Sequence, residues 1–304
     1  MKLQGCGTAL VTPFHPDGSL DEPSLRALVE SQLAQGVSLL IPCGTTGEAS
    51  TLTEAETHRV IEITIEVAAG RAPIFAGCTH NSTAQAVANA KRIAKIPNLT
   101  GILTANPYYN RPNQEGQYQH FRAIAEAVDL PIILYNIPGR TATNLLPETV
   151  LRLAETSNII AIKESSGVMS QITELLAHAP ATFSVLAGDD ALALPVIALG
   201  GTGLVSVASN AIPGPMSRMI AAALANDWPT ARELNARYFA LMQAHFLEPS
   251  PAPIKATLAL LGRCSETLRL PMVPVTEPTR TKLKSLLHDL DLLPSAEGAH
   301  PRKP

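Results

Sequence analysis

The sequence predicts an α/β fold, a (β/α)8 TIM barrel with a C-terminal helical appendage. Eight short runs rich in Val, Ile and Leu alternate with longer segments of helical period. The runs are almost continuously apolar, which is typical of parallel strands that are covered on both faces. Each strand and helix unit takes roughly 28 residues, and eight such units close naturally into a barrel. An open doubly wound sheet is the alternative, but it usually contains fewer units.

The apolar runs give the predicted strands in order. They lie at residues 8–14, 38–44, 72–79, 100–107, 130–138, 159–166, 183–190 and 203–210. The first helix is predicted to begin near Asp21, with Asp21 or Ser19 as its N-cap. The second begins at Thr53, where the sequence T-E-A-E offers a capping box. The next six helices are predicted at 83–95, 114–128, 147–156, 170–179, 191–199 and 212–226.

Residues 1–226 are therefore predicted to form the barrel. Three more helical stretches follow at 229–246, 253–261 and 276–291. We expect residues 227–293 to form a helical extension that packs on the barrel. Residues 294–304, with the sequence PSAEGAHPRKP, are predicted to be a disordered tail.

Composition excludes several classes of function. Charged residues make up only 16% of the 304 residues, below the usual value of about 25%, which suggests that part of the surface is buried in an oligomer. The net charge of −3, with no basic stripe, argues against a nucleic-acid partner. The four cysteines lie far apart in the sequence and form no C-x-x-C pair, which indicates reduced thiols. With no signal-peptide pattern and no apolar stretch of about 18 residues, we expect a cytoplasmic protein that does not contact membranes.

Lys163 is the first candidate for chemistry, because it ends the buried run at 159–162. The loops after the strands build the active sites of such barrels. In a strand, Ala161, Lys163 and Ser165 share one face. If that face points into the barrel, burial favours the neutral amine, which is a nucleophile towards carbonyls. The alternative is a solvated lysine at the end of a strand.

Two further candidate side chains lie at or just after the end of the neighbouring predicted strand. The phenol of Tyr135 could transfer protons beside an imine-forming amine, or it could pack at the barrel rim. The guanidinium of Arg140 could bind a substrate carboxylate through two hydrogen bonds, or it could be an ordinary surface arginine.

The glycine-rich stretch GTTGE, at 44–48, is the remaining candidate for ligand binding. Its successive backbone N–H groups could hold a carboxylate, although an ordinary βα turn explains the stretch equally well. It lacks the lysine and spacing of a P-loop. Asp189 and Asp190 are expected to end a strand and cap the next helix. The histidines show no metal-ligand spacing, so no metal site is predicted.

Several of these stretches together resemble a known family. The motifs GTTGE, YYNRP, LYNIPGRT, IKESSG, GDD and GLVSVASN occur in this order over about residues 3–292. They resemble the pyruvate-dependent class I aldolases of the dihydrodipicolinate synthase and N-acetylneuraminate lyase family. The resemblance implies a lyase-type enzyme that uses no cofactor and forms a covalent imine (Schiff base) between Lys163 and pyruvate.

Arg140 makes the chain more similar to the synthases of this family. In them an arginine at this position receives the carboxylate of aspartate semialdehyde, which is condensed with pyruvate in lysine and diaminopimelate biosynthesis. The alternatives are another aldolase or dehydratase of the family, acting on a sugar acid or a hydroxyglutarate-type substrate, or a binding protein without catalysis.

The resemblance also implies a role for each matched residue. Tyr135 donates and accepts protons, and the hydroxyl of Thr45 links it to Tyr109 of a neighbouring subunit. The pyruvate pocket is formed by the backbone N–H groups of Thr45 and Thr46, by Gly188 and by the backbone of Val205. A homotetramer built as a dimer of dimers is implied.

One departure from the family concerns feedback inhibition by lysine. Sensitive members tend to carry a histidine after GTTGE and a glutamate in the helix after the third strand. Here the aligned positions are Glu54, Thr57 and Gln85, although Asn81 and Tyr108 are retained. Because an ammonium partner is missing, we expect weak or absent inhibition by lysine.

Overall fold

The protein, described over residues 1–293 by a computed structural model, is a closed barrel of eight parallel strands. The strands are β1 (Gly5–Ala9), β2 (Leu39–Ile41), β3 (Phe75–Gly77), β4 (Gly101–Ala105), β5 (Ile132–Asn136), β6 (Ile159–Glu164), β7 (Ser184–Ala187) and β8 (Gly203–Ser206). Hydrogen-bonded neighbours follow the order β2-β1-β8-β7-β6-β5-β4-β3. A parallel bridge between Leu40 and Ile74 joins the two ends of this order. The predicted TIM barrel is thus confirmed.

Helices surround the barrel and continue beyond it. They are α1 (Glu22–Ala34), α2 (Glu54–Ala68), α3 (Thr83–Ile93), α4 (Gln114–Ala127), α5 (Pro138–Thr141), α6 (Pro147–Ala154), α7 (Met169–His178), α8 (Ala193–Ala198), α9 (Pro213–Leu224), α10 (Trp228–Ala244), α11 (Ala252–Leu260) and α12 (Glu277–Asp289). The last three form the predicted C-terminal helices, and α10 packs on α9 and α12. The predicted tail at 294–304 lies outside the described residues.

Alternation along the strands creates two apolar layers. Side chains such as Leu134 and Ile162 point outwards to the helices. Side chains such as Ile133, Ala161 and Val205 fill the barrel interior. Because successive strand residues face opposite sides, this alternation decides which polar residues enter the barrel.

The first two helices begin as the sequence predicts. The carboxylate of Asp21 accepts a hydrogen bond from the Ser24 N–H at 3.0 Å, so Asp21 is the N-cap of α1. Thr53 and Glu56 form the capping box of α2, in which each side chain binds the backbone of the other residue. The interpretation with Ser19 as N-cap is therefore excluded.

Two local expectations differ from the structure. The first strand covers Gly5–Ala9 rather than 8–14, because the buried side chains of Leu10, Val11 and Phe14 lie in the loop that follows. An apolar run indicates that its residues are buried, but it does not show where the hydrogen bonding of the strand to its neighbours ends. The four-residue helix α5 was not predicted, since one helical turn is too short to show a period. No helix within residues 1–293 has the length and apolar character needed to span a membrane.

Candidate active site

Lys163 lies near the end of β6 and is only 5% exposed. A bulge lets Ile133 of β5 pair with Ala161 after Ile132 has paired with Ile159, which keeps Ala161 in the barrel interior. Lys163, two residues further, shares that face. Its Nζ lies 4.3 Å from the centroid of the Tyr135 ring, and the two residues are paired across β5 and β6. The amine therefore faces a phenol inside the mouth of the barrel.

The stem of Lys163 packs against a position that has room only for glycine. A Cβ atom added to Gly188 would lie 3.0 Å from both Cγ and Cε of Lys163, and 1.8 Å from Oγ of Ser165. Gly188 follows β7, and its N–H is held by the carbonyl oxygen of Glu164 at 2.8 Å. The lysine stem thus lies between the Gly188 backbone and the Tyr135 ring, which fixes where the amine can be.

A cavity of about 660 Å³ opens beside Tyr135. Thr45 and Arg140 line it together with Tyr135, so three of the predicted site residues share one space. Ser250 and Met272, which come from the C-terminal part of the chain, also line it. No local sequence pattern indicates this contribution, because it joins residues that lie far apart in the chain.

The loop 44–48, whose Thr45 lines the cavity, carries two unused backbone donors. Among residues 1–293, the N–H groups of Thr45 and Thr46 donate no hydrogen bond. The loop itself is anchored, since the hydroxyl of Thr12 donates to the carbonyl oxygen of Gly47 at 2.7 Å. Two adjacent free N–H groups in a rigid turn can bind an anion such as a carboxylate.

Arg140 lies in α5, and its side chain is held by the C-terminal segment. Its Nη2 donates to the carbonyl oxygen of Ser250 at 3.0 Å. Among residues 1–293 this is the only hydrogen bond of the Arg140 guanidinium, so most of its five donors remain available for a ligand in the cavity.

Tyr109 is not brought to the cavity by its own chain. Its side chain is 88% exposed, and its backbone has a φ of 75°, which is uncommon for a bulky residue. Among the described residues, no hydrogen bond joins the hydroxyls of Tyr109, Thr45 and Tyr135. A single chain therefore does not complete the expected relay.

Val205 lies fully buried in β8, on the interior face of the barrel. The loop after it is fixed by Asp190, whose carboxylate accepts hydrogen bonds from the N–H groups of Val207 and Ala208 at 3.1 and 3.2 Å. Burial raises the pKa of Asp190, while these hydrogen bonds oppose the rise. Of the expected aspartate pair, only Asp189 caps the next helical turn, through the Ala191 N–H at 2.9 Å.

The residues expected to decide lysine sensitivity line the outer part of the same cavity. Glu54, Thr57, Gln85 and Tyr108 all contribute to its wall. Glu54 pairs with Arg92 at 3.6 Å. The amide of Gln85 donates to the side chain of Asn89 at 3.0 Å. Asn81 receives a hydrogen bond on its backbone carbonyl from Asn110, at 2.8 Å.

The arrangement suits covalent chemistry on a keto acid. Within residues 1–293, Lys163 forms no ion pair, whereas the other buried lysine, Lys255, is paired with Glu48. An unpaired buried amine beside a phenol can attack a ketone, and the free N–H groups of Thr45 and Thr46 can hold the attached carboxylate. No group of three or more His, Cys, Asp or Glu in the described part of the chain is arranged to hold a metal ion.

Comparisons with known proteins identify the family of the chain. The profile of the dihydrodipicolinate synthetase family matches residues 2–290. The 4-hydroxy-tetrahydrodipicolinate synthase of Acidobacterium capsulatum is 59% identical over 294 residues, covering 96% of this chain and 97% of that protein.

Two solved structures are also similar. The chloride-inhibited dihydrodipicolinate synthase from Acinetobacter baumannii, complexed with pyruvate, is 41% identical, with a TM-score of 0.93 over 95% of this chain and 99% of that chain. A monomeric dihydrodipicolinate synthase variant is 39% identical, with a TM-score of 0.94 over 96% of this chain and 98% of that chain.

Proposed function

The chain belongs to the dihydrodipicolinate synthetase family, and on that premise we propose that it condenses pyruvate with L-aspartate 4-semialdehyde as a 4-hydroxy-tetrahydrodipicolinate synthase. The enzyme is a lyase-type class I aldolase that acts in lysine and diaminopimelate biosynthesis. It needs no metal or cofactor, because a lysine imine activates the substrate.

The single observation that carries the proposal is the surroundings of Lys163. Its amine is buried, has the phenol of Tyr135 beside it and lacks a carboxylate partner among residues 1–293. A buried lysine kept only for stability would pair with a carboxylate, as Lys255 does. An unpaired amine at the mouth of a barrel is instead available as a nucleophile.

The reaction begins when the N–H groups of Thr45 and Thr46 bind the pyruvate carboxylate. The Lys163 amine attacks the ketone carbon, and loss of water from this adduct gives a protonated imine. The imine withdraws electrons, so the pyruvate methyl group releases a proton and an enamine forms. The enamine carbon attacks the aldehyde of aspartate semialdehyde, and the amine of that substrate then displaces Lys163 and closes the ring.

Each of these steps moves a proton, and hydroxyl groups serve that purpose without a fixed charge. Tyr135 exchanges protons with the adduct, and the Thr45 hydroxyl passes them to Tyr109. Gly188 and the backbone of Val205 shape the pocket around the pyruvate methyl group. Arg140 binds the carboxylate of the second substrate through the guanidinium donors that Ser250 leaves free.

Tyr109 supports a homo-oligomer. An exposed tyrosine with a left-handed backbone is expected where another protein surface covers it. The Tyr109 that completes the site of one subunit would therefore come from its neighbour. We expect a tetramer built as a dimer of dimers, in which the dimer is the smallest competent unit. A cytoplasmic location suits four cysteines that are all free.

Feedback by lysine is expected to be weak or absent. Two of the three residues Glu54, Thr57 and Gln85 already have partners. Glu54 forms an ion pair with Arg92, and Gln85 donates a hydrogen bond to Asn89. Gln85 offers a neutral amide where a carboxylate would bind the lysine ammonium.

The experiment that tests the function compares aldehyde substrates. Purified protein is assayed with pyruvate and either aspartate semialdehyde, N-acetylmannosamine or another sugar aldehyde. We expect kcat/KM for aspartate semialdehyde to exceed the others by at least 100-fold. A higher value for a sugar aldehyde would assign the protein to the alternative branch, and no turnover of any pair would favour a binding protein.

A further inference from the structure

Lys255 is a buried cation that the mechanism above does not use. It lies in α11 and is 0% exposed. Its Nζ donates to the Glu48 carboxylate and, at 2.8 Å, to the carbonyl oxygen of Thr267. Glu48 is only 4% exposed and is the last residue of the GTTGE loop. The C-terminal helices thus reach directly into the loop that carries the free N–H groups.

A second residue from the C-terminal part of the chain, Arg269, also binds Glu48 through its backbone. The backbone N–H of Arg269 donates to the other oxygen of Glu48 at 3.1 Å. The Arg269 guanidinium lies 4.3 Å from the centroid of the Phe14 ring, and Lys255 Nζ lies 4.2 Å from the same centroid. Arg269 also donates to the carbonyl oxygen of Gly18 at 2.7 Å and forms an ion pair with Glu56. The Glu48 carboxylate is therefore held by two donors, the Lys255 ammonium and the Arg269 N–H, and Arg269 is itself fixed by Gly18 and Glu56.

The backbone of Glu48 needs such support. Its φ of 54° is left-handed, a conformation that non-glycine residues keep only where their surroundings enforce it. A carboxylate held by Lys255 and by the Arg269 N–H supplies this constraint.

The conformation of Glu48 also sets the direction of the Thr46 donor. The Glu48 N–H donates to the Thr45 carbonyl oxygen at 3.1 Å. That carbonyl and the Thr46 N–H belong to one planar peptide unit, in which they point in opposite directions. In the same way, the N–H groups of Gly47 and Ala49 bind the Gly44 carbonyl at 3.1 and 3.3 Å and so orient the Thr45 N–H.

We propose that Lys255 and Glu48 are positioning residues, through which the C-terminal helices aim the backbone N–H groups that bind the keto-acid carboxylate. The proposal rests on the proposed function, because it assumes that pyruvate binds at Thr45 and Thr46. It assigns to the helical extension a role in substrate affinity, in addition to lining the cavity.

The test compares Lys255→Met and Glu48→Gln with a control variant, Glu266→Gln. The control breaks the Arg280–Glu266 ion pair, which also lies in the C-terminal part of the chain but does not touch the loop. KM for each substrate, kcat and the melting temperature are measured for all three. We expect KM for pyruvate to rise at least 10-fold in Lys255→Met and at least threefold in Glu48→Gln, with KM for aspartate semialdehyde changed less than twofold. The control should keep both values.

A purely structural role would give a different pattern. Unchanged KM for pyruvate in a folded Lys255→Met or Glu48→Gln protein would overturn the proposal, and so would equal rises for both substrates. If Lys255→Met does not fold, Glu48→Gln decides by the same criterion, because the amide keeps the size of the carboxylate. Failure of the proposed function is recognised separately in the wild-type protein, which would then prefer a sugar aldehyde to aspartate semialdehyde or form no borohydride-stable adduct with pyruvate.

Discussion

Replacing Gly188 with alanine tests whether the proposed chemistry depends on where the Lys163 amine is placed. The added methyl group would lie 3.0 Å from Cγ and Cε of Lys163 and 1.8 Å from Oγ of Ser165. Carbon atoms pack at about 3.5–4.0 Å, so the lysine stem must withdraw by about 0.5–1 Å. The Ser165 hydroxyl can rotate away with less disturbance, because it is buried without a hydrogen-bond partner among the described residues.

The magnitude follows from this displacement. A misplacement of about 1 Å in a reacting group costs about 100-fold in rate, and a smaller shift costs less. We therefore expect kcat/KM for pyruvate to fall by about 10- to 100-fold, equivalent to about 1.4–2.7 kcal/mol of transition-state stabilisation. The backbone of Gly188 is not left-handed, so alanine adds a steric effect without a conformational one.

The assay measures steady-state kinetics of Gly188→Ala together with its melting temperature. Gly139→Ala is the matched control, because a Cβ there meets no atom within 4 Å. The double variant Gly188→Ala/Ser165→Ala removes the shortest contact and keeps those with Lys163, so its activity should stay low. Wild-type kcat/KM in a folded Gly188→Ala protein would refute the argument, and full rescue by Ser165→Ala would transfer the effect to the serine.

Four other outcomes are expected. Arg140→Ala should raise KM for aspartate semialdehyde by about 10- to 150-fold, the value of one charged hydrogen bond, and leave KM for pyruvate nearly unchanged; equal effects in substrate-saturation curves would contradict the assignment. Mixing inactive Lys163→Arg and weakly active Tyr109→Phe subunits should restore activity, since one site of each mixed dimer is intact; mixtures without any gain would show that Tyr109 acts within its own chain. Millimolar lysine should leave initial rates unchanged because Gln85 is neutral, whereas half-inhibition at micromolar lysine would show that an ammonium site exists. Burial lowers the pKa of His245 to about 3, whereas its unfolded-state pKa is about 6.5, so the unfolded chain binds an extra proton as the pH falls and the free energy of unfolding decreases. Urea titrations should show a loss of about 2 kcal/mol between pH 7 and pH 5, and His245→Gln should remove this loss. An equal loss in that variant would reject the assignment.

The barrel could be predicted from the sequence because its signals are local. Each strand is a short apolar run, and caps such as Asp21 and Thr53 lie within three residues of their partners. The inward direction of Lys163 also follows from alternation, which begins at Ala161. The end of the first strand was misplaced because Leu10 and Phe14 are buried without belonging to the sheet.

The rest of the site depends on contacts between distant parts of the chain. Lys255 meets Glu48 across 207 positions, and Ser250 meets Arg140 across 110. No local pattern marks such pairs, since a lysine in a helix usually lies on the solvated face. Tyr109 shows a further limit, because a side chain that we propose to act in a neighbouring subunit has no partner within its own chain that could reveal its place.

The covalent imine can be tested most directly by trapping it. The protein is treated with sodium borohydride in the presence and absence of pyruvate, then digested and mapped by mass spectrometry. We predict a stable pyruvate adduct on Lys163 and on no other lysine, and none in Lys163→Arg. Turnover without any adduct, or an adduct on another lysine with Lys163 unmodified, would contradict the assignment of Lys163 as the nucleophile.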